Sequence, residues 1–446
     1  MIFARGRLGP ACLAFLMLAS CAAQQPAAPP STAAAPSVSV PLPPADESFA
    51  PLATDLMAAM VPGAARPRVI PRNTSNLDPF FADLASLETG VRRRVNIVQI
   101  GDSHTAGDVM SARLRELLQQ RFGSAGRGWM PPGKPYPTVR HAGLSIQETG
   151  RWAYEFSLNQ RSSGPFSLAG IAAKTGAAGA SLALDTNDER GFDEIFVALR
   201  PQPNGGRVRI SVDGRDLATL DTATLRGPVQ IFRREVPSGS RSLRVTTLDR
   251  KPVTLLGWGT ERAMRGVVYD SLGVVGASYL TTLRWDEAAA AAELASREPS
   301  LVILVFGTNE GFRNDLDGAS YTEALAQRVR AVHAAAPNAS VLVVGPPDAA
   351  RKADPRCQGL ACNWATPANI GVVRDIQIAN APKLGYEFWD WWGSMGGADS
   401  MRRWVRANPP LARADHVHFT TLGYSAVAER LYEDLMANYD AWNRAR

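Results

Sequence analysis

The amino-acid sequence predicts an α/β protein in which a doubly wound parallel sheet carries an inserted all-β sandwich. Continuous apolar runs of strand length, such as 301–306, alternate with segments of helical periodicity, such as 321–336. Between about 129 and 265 this alternation stops, and short alternating runs separated by turn signals such as Asp213-Gly214 replace it. Buried strands joined by helices predict the parallel sheet, and the interruption predicts an inserted sandwich.

The first 21 residues are predicted to be an export signal. Arg5 and Arg7 precede an apolar run, 8–18, that is too short to span a bilayer. The run leads into Leu18-Ala19-Ser20-Cys21, which resembles the lipobox of bacterial lipoproteins. Cleavage before Cys21 and acylation of its thiol are therefore predicted. Ordinary cleavage after a small residue is the alternative.

The segment 22–49 is predicted to be a semi-extended tether. Up to residue 44 it consists of Ala, Pro, Gln and Ser with almost no charge, a composition that buries little apolar surface. The ordered part of the chain is predicted to start near residue 50. It divides into 50–128 and 266–446, which together we call the body, and 129–265, which we call the insert.

The body begins with three predicted elements. A helix is expected over 77–88, because Leu77, Phe81, Leu84 and Leu87 share one face and Asn76 can cap it. A buried strand over 95–100 and a helix over 107–122 follow. The later elements are strands over 267–270, 301–306 and 341–344 and helices over 321–336, 369–381 and 422–439.

The charge pattern argues against nucleic-acid binding, and the two remaining cysteines predict a disulfide. The formal net charge is +6, but the Lys and Arg residues are scattered rather than arranged in a stripe, which argues against nucleic-acid binding. Beyond the N-terminus no apolar run is long enough to span a membrane. Cys357 and Cys362 are predicted to form a disulfide, since exported proteins meet an oxidising compartment; a metal or redox site is the alternative.

Ser103 is the first candidate catalytic residue. It follows the predicted strand 95–100 and precedes a predicted helix, so it lies at the carboxyl end of a parallel strand. Sheets of this kind build their sites at that end. The alternative is that Ser103 merely caps the helix.

Asp415 and His418 supply the partners that a nucleophilic serine needs. Acyl transfer by serine requires a base within hydrogen-bond reach and a carboxylate that fixes the imidazole tautomer. An Asp three residues before a His allows one turn to present both side chains on the same side. His416 and His104 are predicted to point elsewhere.

Two further residues are candidates for stabilising an oxyanion. Asn309 follows the apolar strand 301–306, and Gly276 lies in a loop after the strand 267–270. An ester-cleaving serine needs hydrogen-bond donors aimed at the developing oxyanion. Taken singly, the Asn is a common turn former and the Gly a common residue at positive φ. Together with the serine and the Asp–His pair they complete a set.

Four segments together resemble the blocks of the SGNH (GDSL-like) hydrolase superfamily. In chain order they are IGDSHTAGD (100–108), SLGVVGAS (271–278), FGTNEG (306–311) and DHVHFTTLGY (415–424). The resemblance implies a flavodoxin-like fold for the body and an ester hydrolase that needs no cofactor and no metal. It implies these roles: Ser103 as nucleophile and first oxyanion donor, Gly276 and Asn309 as the other donors, His418 as base and Asp415 as its partner.

A narrower resemblance is to peptidoglycan O-acetylesterases and periplasmic O-acetyltransferases of Gram-negative bacteria. GDSH, GTNE, the segment FWDWWGSMGG (388–397) and a β-rich insert are similar to that group. The insert is accordingly expected to resemble a carbohydrate-binding module. The resemblance implies an O-acetylated polysaccharide as partner and a periplasmic location, with membrane attachment only through the lipid on Cys21, at the outer membrane rather than the inner. A lipobox is not universal in that group.

Tryptophans are candidate sugar contacts, because sugar rings pack their apolar faces on flat side chains. Trp389, Trp391 and Trp392 are predicted as possible substrate contacts, and core packing is the alternative. For the tryptophans near the ends of the insert, packing between insert and body is preferred over sugar stacking; these are Trp129, Trp152 and Trp258.

The predicted reaction is removal of O-acetyl groups from a glycan through an acetyl-serine. The nearest alternative is an O-acetyltransferase that passes the same acetyl group to a sugar hydroxyl, and the two differ in the access of water. A non-catalytic glycan-binding lipoprotein is an alternative of another class. A metal hydrolase that uses His416 and His418 is weaker, since the sequence shows no further cluster of histidine ligands.

Overall fold

The computed structural model describes residues 75–136, 139–357 and 362–446. The predicted export signal, Cys21, the tether and the predicted start of the body near residue 50 lie outside the described residues. Within the described ranges, no helix has both the length and the apolar character needed to cross a membrane.

The body begins with a helix, a strand and two further helices, after a short 3-10 turn, Ser75–Leu77. They are α1 (Asp78–Glu88), β1 (Arg94–Gly101), α2 (Ser103–Ala106) and α3 (Met110–Phe122). The predicted Asn76 cap is wrong, because Leu77 occupies the N-cap of α1 and Asn76 Nδ2 donates to the Tyr386 carbonyl at 3.4 Å. The helix predicted over 107–122 begins later, at Met110, because Asp108 adopts a left-handed conformation with φ 47° between α2 and α3.

Antiparallel strands follow, in two sheets. They are β2 (Gly126–Met130), β3 (Leu144–Thr149), β4 (Ala153–Phe156), β5 (Ile171–Thr175), β6 (Ser181–Thr186), β7 (Phe192–Leu199), β8 (Arg207–Val212), β9 (Arg215–Asp221), β10 (Gln230–Ser240), β11 (Ser242–Thr247) and β12 (Val253–Glu261). One sheet has the order β10-β7-β12-β5-β4, with β2 also pairing with β12, and the other has the order β3-β6-β11-β8-β9. Buried side chains of both sheets, among them Val197 and Val245, share one core.

The remaining elements return to alternating strands and helices. They are β13 (Gly266–Gly273), α4 (Tyr279–Thr282), α5 (Glu287–Arg297), β14 (Leu301–Val305), α6 (Thr308–Gly311), α7 (Gly318–Ala335), β15 (Ser340–Val344), β16 (Arg351–Lys352), β17 (Trp364–Ala365), α8 (Ala368–Leu384), β18 (Glu387–Trp389), α9 (Trp391–Ser394), α10 (Ser400–Arg406) and α11 (Thr421–Arg444). The order of these elements matches the predicted alternation.

The body is built on a five-stranded parallel sheet of order β13-β1-β14-β15-β18. Apolar side chains of β1 enter cores on both faces. Val95 and Ile97 pack with α1, α3 and α11, whereas Val98 and Ile100 pack with α5 and α7. The predicted mixed α/β fold with a parallel sheet and added antiparallel sheets is confirmed. The domain limits stay predictions.

A buried arginine joins the insert to the body. Arg297, at the end of α5, is 2% exposed and forms ion pairs with Asp270 of β13, at 2.8 Å, and with Glu261 of β12. Its guanidinium also lies 4.7 Å from the ring centre of Phe196 in β7. Each buried charge therefore has an opposite charge beside it, as a stable interior requires.

Tryptophans at the ends of the insert lie in cores. Trp129 is fully buried in a core that insert and body share, and its ring stacks on Phe196 at 5.0 Å. Trp258 is fully buried in the core between the two antiparallel sheets, and Trp152 packs at the edge of that core. Packing between insert and body is thus confirmed for Trp129. For Trp258 and Trp152 that prediction is wrong, because the core around them consists of insert residues alone.

Candidate active site

Three neighbouring strands of the parallel sheet end at the same edge and carry the predicted site residues. Gly101 of β1 lies opposite Gly273 of β13 and Val305 of β14. Ser103, Gly276 and Asn309 come shortly after these three strands. Because parallel strands end on the same side, the topology brings together residues that are far apart in the sequence.

The helix that carries Ser103 lies directly on the end of β13. A Cβ atom on Gly273 would lie 2.1 Å from the Ala106 backbone nitrogen, so only glycine permits this approach. Asp102 caps the helix, because its Oδ1 accepts a hydrogen bond from the His104 N–H at 2.9 Å. The Ser103 side chain is half-buried at the first position of this helix.

Ser103, His418 and Asp415 form a continuous hydrogen-bonded chain. Ser103 Oγ lies 3.0 Å from His418 Nε2, and His418 Nδ1 lies 2.9 Å from Asp415 Oδ2. The other Asp415 oxygen accepts the backbone N–H groups of Val417 and His418, both at 2.9 Å. The Arg413 N–H donates to the His418 carbonyl at 2.8 Å and closes the loop that holds both side chains. This geometry is that of a nucleophile, a base and an orienting carboxylate.

The electrostatics of Asp415 suit this role. Burial raises the pKa of the carboxyl group, but the hydrogen bond and charge of His418 and the two backbone N–H groups more than offset burial and hold the pKa below its usual range. The ionised carboxylate has no proton to donate, so it accepts a hydrogen bond from the Nδ1–H group of His418, and this assigns the tautomer. His418 Nε2 is then free to accept the proton of Ser103 Oγ.

Hydrogen-bond donors for an oxyanion are available at the edge of the sheet where Ser103 lies. Neither the Ser103 N–H nor the Gly276 N–H donates to any residue that the structure describes. Gly276 lies in the loop after β13 and is exposed. Its backbone has a left-handed conformation, with φ 83°. Asn309 Nδ2 donates to the Ala277 carbonyl at 2.7 Å, and its second hydrogen has only a long contact of 3.4 Å with Asp102 Oδ2. This arrangement can stabilise a tetrahedral intermediate.

Two buried acids next to the site have raised pKa values. Burial, together with the charge of Glu310, raises the pKa of Asp102 to about 8, although the His104 N–H acts in the opposite direction. Burial raises the pKa of Glu310 to about 7, against the hydrogen bond that its Oε1 accepts from the Tyr279 N–H. Sequence reasoning gave neither residue a role. The only signal was their position, since each directly adjoins a predicted site residue.

His416 does not face Ser103, and a tryptophan that sequence reasoning missed holds it in place. The His416 ring stacks on Trp364, with 3.7 Å between ring centres and 16° between ring planes. His416 adopts φ 58°, a left-handed conformation that is unfavourable for a residue with a side chain. The Ala350 N–H donates to the His416 carbonyl at 2.8 Å. His416 is therefore held from two sides, directly beside Asp415.

A short hairpin presents Trp364 to His416. Strand β17, which begins at Trp364, pairs with Lys352 and its neighbour in β16. Cys357 and Cys362 form a disulfide within the loop between these strands, as the sequence predicts. Trp364 lies two residues after Cys362, and this short distance is the one feature of the sequence that places Trp364 near the disulfide loop.

Two of the three tryptophans predicted as possible substrate contacts are not available to a substrate. Trp389 and Trp391 are both 0% exposed. Trp389 Nε1 donates to Asp434 at 3.0 Å, and the Trp391 ring stacks on Phe419 at 5.4 Å. The prediction of substrate contact is wrong for these two, because packing in the core covers their rings. Trp392 is partly exposed and stays a prediction.

The other histidines near Ser103, and His418 itself, bond to neighbouring protein groups. His104 is buried, and its Nδ1 bonds to the Tyr424 hydroxyl at 2.9 Å rather than to Ser103. Both ring nitrogens of His418 are used within the chain from Asp415 to Ser103, and His416 Nδ1 lies 3.0 Å from the Ala414 carbonyl. In the described part of the chain, no group of three His, Cys, Asp or Glu side chains is placed to hold a metal ion.

Comparisons with known proteins agree with this geometry. Residues 244–426 match a family model described as the GDSL-like lipase/acylhydrolase family. This range contains Gly276, Asn309, Asp415 and His418, whereas Ser103 lies before it. The structure is similar to that of a peptidoglycan O-acetylesterase, with 28% sequence identity and a TM-score of 0.67, over 81% of this chain and 96% of that chain.

Two other solved structures show weaker likeness. A family two carbohydrate esterase from Clostridium thermocellum, in complex with cellohexaose, has 12% identity and a TM-score of 0.28 over 65% of this chain and 100% of that chain. An acetyl xylan esterase has 17% identity and a TM-score of 0.28 over 37% of this chain and 80% of that chain. No curated protein matches the sequence. The predicted resemblance to the SGNH superfamily is confirmed by the family model and the peptidoglycan O-acetylesterase structure.

Proposed function

The chain is an SGNH (GDSL-like) ester hydrolase, and we propose that it removes O-acetyl groups from peptidoglycan through an acetyl-serine intermediate. The observation that carries the proposal is the contact of 3.0 Å between Ser103 Oγ and His418 Nε2, beside two backbone N–H groups without partners among the described residues. The acetylated glycan is inferred from the similarity to a peptidoglycan O-acetylesterase.

In the first step, His418 Nε2 takes the proton of Ser103 Oγ as the oxygen attacks the acetyl carbonyl carbon. The N–H groups of Ser103 and Gly276 and the Asn309 amide donate to the resulting oxyanion. When the intermediate collapses, the bond to the sugar oxygen breaks and His418 returns its proton to that oxygen. The products are a deacetylated sugar and acetyl-Ser103.

In the second step, water replaces the sugar. His418 takes a proton from the water molecule while its oxygen attacks the acetyl carbonyl carbon, and the same donors stabilise the second oxyanion. The bond between carbon and Ser103 Oγ then breaks, the proton returns to Oγ, and acetate leaves. Asp415 remains ionised throughout and stabilises the charged imidazole of each step.

The substrate is tested by acetate release from three acetylated polymers. We expect the purified protein to release acetate fastest from O-acetylated peptidoglycan, and more slowly from acetylated xylan and acetylated cellulose. Ser103→Ala is expected to abolish release from all three. Faster release from xylan or cellulose would refute the peptidoglycan assignment while leaving the esterase mechanism in place.

The acceptor of the acetyl group is tested separately. When the protein receives an acetyl donor and chito-oligosaccharides, we expect free acetate and no acetylated oligosaccharide in the mass spectrum. Net acetylation of the oligosaccharide would instead identify an O-acetyltransferase, which uses the same acetyl-serine.

We also propose that the protein is a periplasmic lipoprotein, anchored through Cys21. The proposal rests on the sequence Leu18-Ala19-Ser20-Cys21 after a short apolar run. The variant Cys21→Ala is expected to move the protein from the membrane fraction to the soluble periplasmic fraction. Equal membrane association of both forms would contradict lipid anchoring.

A further inference from the structure

We propose that the insert supplies one wall of the substrate-binding site, in which Leu158 contacts the sugar ring that carries the acetyl group. This inference rests on the proposed function, since it requires a glycan substrate. It assigns to the insert a binding role at the catalytic centre itself, through the connection between β4 and β5.

That connection packs against the part of the body that carries Gly276. Phe166 and Leu168 of the insert share a core with Val274 and Trp285, which lie on either side of Gly276 in the sequence. The Leu168 N–H also donates to a carboxyl oxygen of buried Glu293 at 3.0 Å, and the Asp286 N–H donates to the Phe166 carbonyl at 2.7 Å. The connection is therefore fixed to the body beside the loop 274–278, which carries Gly276 and which we call the oxyanion loop.

Hydrogen bonds also fix the backbone around Leu158. Arg284 of the body donates to the Ser157 carbonyl at 2.7 Å and to the Ser162 carbonyl at 2.8 Å. The Ser157 N–H donates to the Gly170 carbonyl at 3.0 Å. Because both ends of the turn from 157 to 162 are bonded to one guanidinium, the turn presents Leu158 in a defined direction.

Leu158 reaches the oxyanion loop and still faces solvent. Its side-chain carbon Cδ2 lies 3.9 Å from the position that a Cβ atom on Gly276 would occupy. Leu158 is 39% exposed, and Gly276 is exposed as well. A single exposed leucine is ordinary on a protein surface. This one differs because it lies beside Gly276, whose N–H we propose as a donor to the substrate's oxyanion.

The sugar, rather than the acetyl group, is the part of the substrate that this side chain suits. An acetyl group ends in a single methyl group directly beside the carbonyl carbon that Ser103 attacks. A sugar ring extends several bonds farther and has an apolar face that packs on apolar side chains. Covering the exposed part of Leu158 with that face removes apolar surface of both partners from water, which favours binding.

The test compares Leu158→Ala with a matched control, Leu217→Ala. Leu217 has a similar exposure of 36% but lies in β9, at the edge of the other antiparallel sheet. The probes are O-acetylated peptidoglycan, acetylated xylan and p-nitrophenyl acetate. We expect Leu158→Ala to lower kcat/KM about fivefold on the polymer that the wild type hydrolyses, mainly through KM, in line with the loss of one partly buried apolar contact.

p-Nitrophenyl acetate has no sugar ring, so neither the wild type nor Leu158→Ala can pack residue 158 against one. We therefore expect the kcat/KM of Leu158→Ala on this ester to stay within about twofold of the wild-type value. Leu217→Ala is expected to match the wild type on all three probes. Equal losses on polymer and small ester would overturn the inference, since they would show a disturbed oxyanion loop. An unchanged kcat/KM on the polymer would overturn it as well.

The failure of this inference is distinguishable from failure of the proposed function. If the wild type hydrolyses p-nitrophenyl acetate but releases no acetate from either polymer, the proposed glycan substrate is wrong and the inference fails with it. If the wild type hydrolyses a polymer and Leu158→Ala hydrolyses it equally well, only the role of Leu158 is refuted.

Discussion

Asp102, the residue before Ser103, has a carboxyl group whose charge depends on pH. Its pKa is raised to about 8, so its carboxyl group is neutral below that pH and negatively charged above it. The charge would appear 3.4 Å from Asn309 Nδ2, close to where the oxyanion develops. A negative charge there opposes the charge of the transition state.

We therefore expect kcat on p-nitrophenyl acetate, corrected for spontaneous hydrolysis, to fall as the pH rises through about 8. In Asp102→Asn this decline is expected to be absent, because the amide does not ionise and asparagine caps a helix as well as aspartate. An identical alkaline decline in both proteins would show that another group causes it.

The same carboxyl group affects stability. Since its pKa in the folded protein lies above the ordinary value of 3.8, the folded state binds more protons than the unfolded state between 3.8 and about 8. Stability is consequently lost as the pH rises through this range. Urea unfolding should show that the advantage of Asp102→Asn over the wild type grows from pH 4 to about pH 8 and then levels off. A constant difference would contradict a raised pKa.

Asn309 is expected to contribute to the transition state through its side-chain amide. Removing one such donor costs about 3 kcal/mol, so Asn309→Ala should lower kcat on p-nitrophenyl acetate about 100-fold to 1000-fold, with KM little changed. The control is Asn380→Ala, which removes an amide that bonds only to the Ile376 carbonyl within α8. A loss of kcat below about tenfold would be too small for an oxyanion donor.

Among individual residues, the sequence predicted those candidate site residues that a local sequence pattern marks. Ser103 directly follows a strand, and Asp415 and His418 are three residues apart in one turn. It did not find Leu158, whose contact with Gly276 joins residues distant in sequence, or the neutral state of Asp102, which depends on burial by the whole fold. Trp389 and Trp391 were misassigned because sequence does not distinguish a buried indole from an exposed one.

Among the structural elements, the hairpin of β16 and β17 contacts the turn that carries Asp415 and His418. Trp364 stacks on His416, and His416 adjoins Asp415 in the turn that orients His418. Without the stack, the left-handed backbone at His416 loses a contact that compensates its strain. We therefore expect Trp364 to position the turn that carries Asp415 and His418.

Trp364→Ala is expected to lower kcat on p-nitrophenyl acetate about tenfold or more, with KM nearly unchanged, since small misplacements of catalytic groups are costly. Trp364→Phe should recover most of the activity, because it keeps an aromatic face for His416. The control is Trp442→Ala in α11, where the ring packs on Tyr439. If Phe and Ala lower kcat equally, stacking on His416 is not what positions the turn.

Predictions of the elements succeeded where the pattern was local and regular. The strands 95–100 and 301–306 were found because continuous apolar runs mark strands that are buried on both faces. The helix predicted over 107–122 was wrong at its start because Asp108 bonds to Arg115 and Arg127 and adopts a left-handed conformation. The two-residue strands β16 and β17 are too short to leave a periodic signal.

For the whole molecule, the insert and the body are joined by charges as well as apolar contacts. Arg297→Ala leaves buried Asp270 without an ion-pair partner among the described residues, whereas Glu261 keeps ion pairs with two other arginines. Breaking a buried pair in this way typically costs about 3 to 5 kcal/mol. We expect urea unfolding to show a loss of this size. The control Arg209→Ala breaks the exposed pair with Asp216 and should cost much less, because water screens the two charges. A loss equal to the control would contradict a structural role for Arg297.

The architecture as a whole was predictable because two kinds of periodicity divide the chain. The pairing of the strands was not, since no local pattern sets the order β13-β1-β14 that brings Gly276, Ser103 and Asn309 to one edge. That order also brings the connection between β4 and β5 to the oxyanion loop. The inserted sheets are thus part of the surroundings of the catalytic centre.

The proposed function requires Ser103 to carry the acetyl group of an O-acetylated peptidoglycan during turnover. The most direct measurement is mass spectrometry of the protein quenched with acid during its reaction with that polymer, followed by peptide mapping. We expect one acetyl group on Ser103 in the wild type, none in Ser103→Ala, and no acetate release by that variant. Acetate release by Ser103→Ala at the rate of the wild type, or an acetyl group on a different residue, would contradict it.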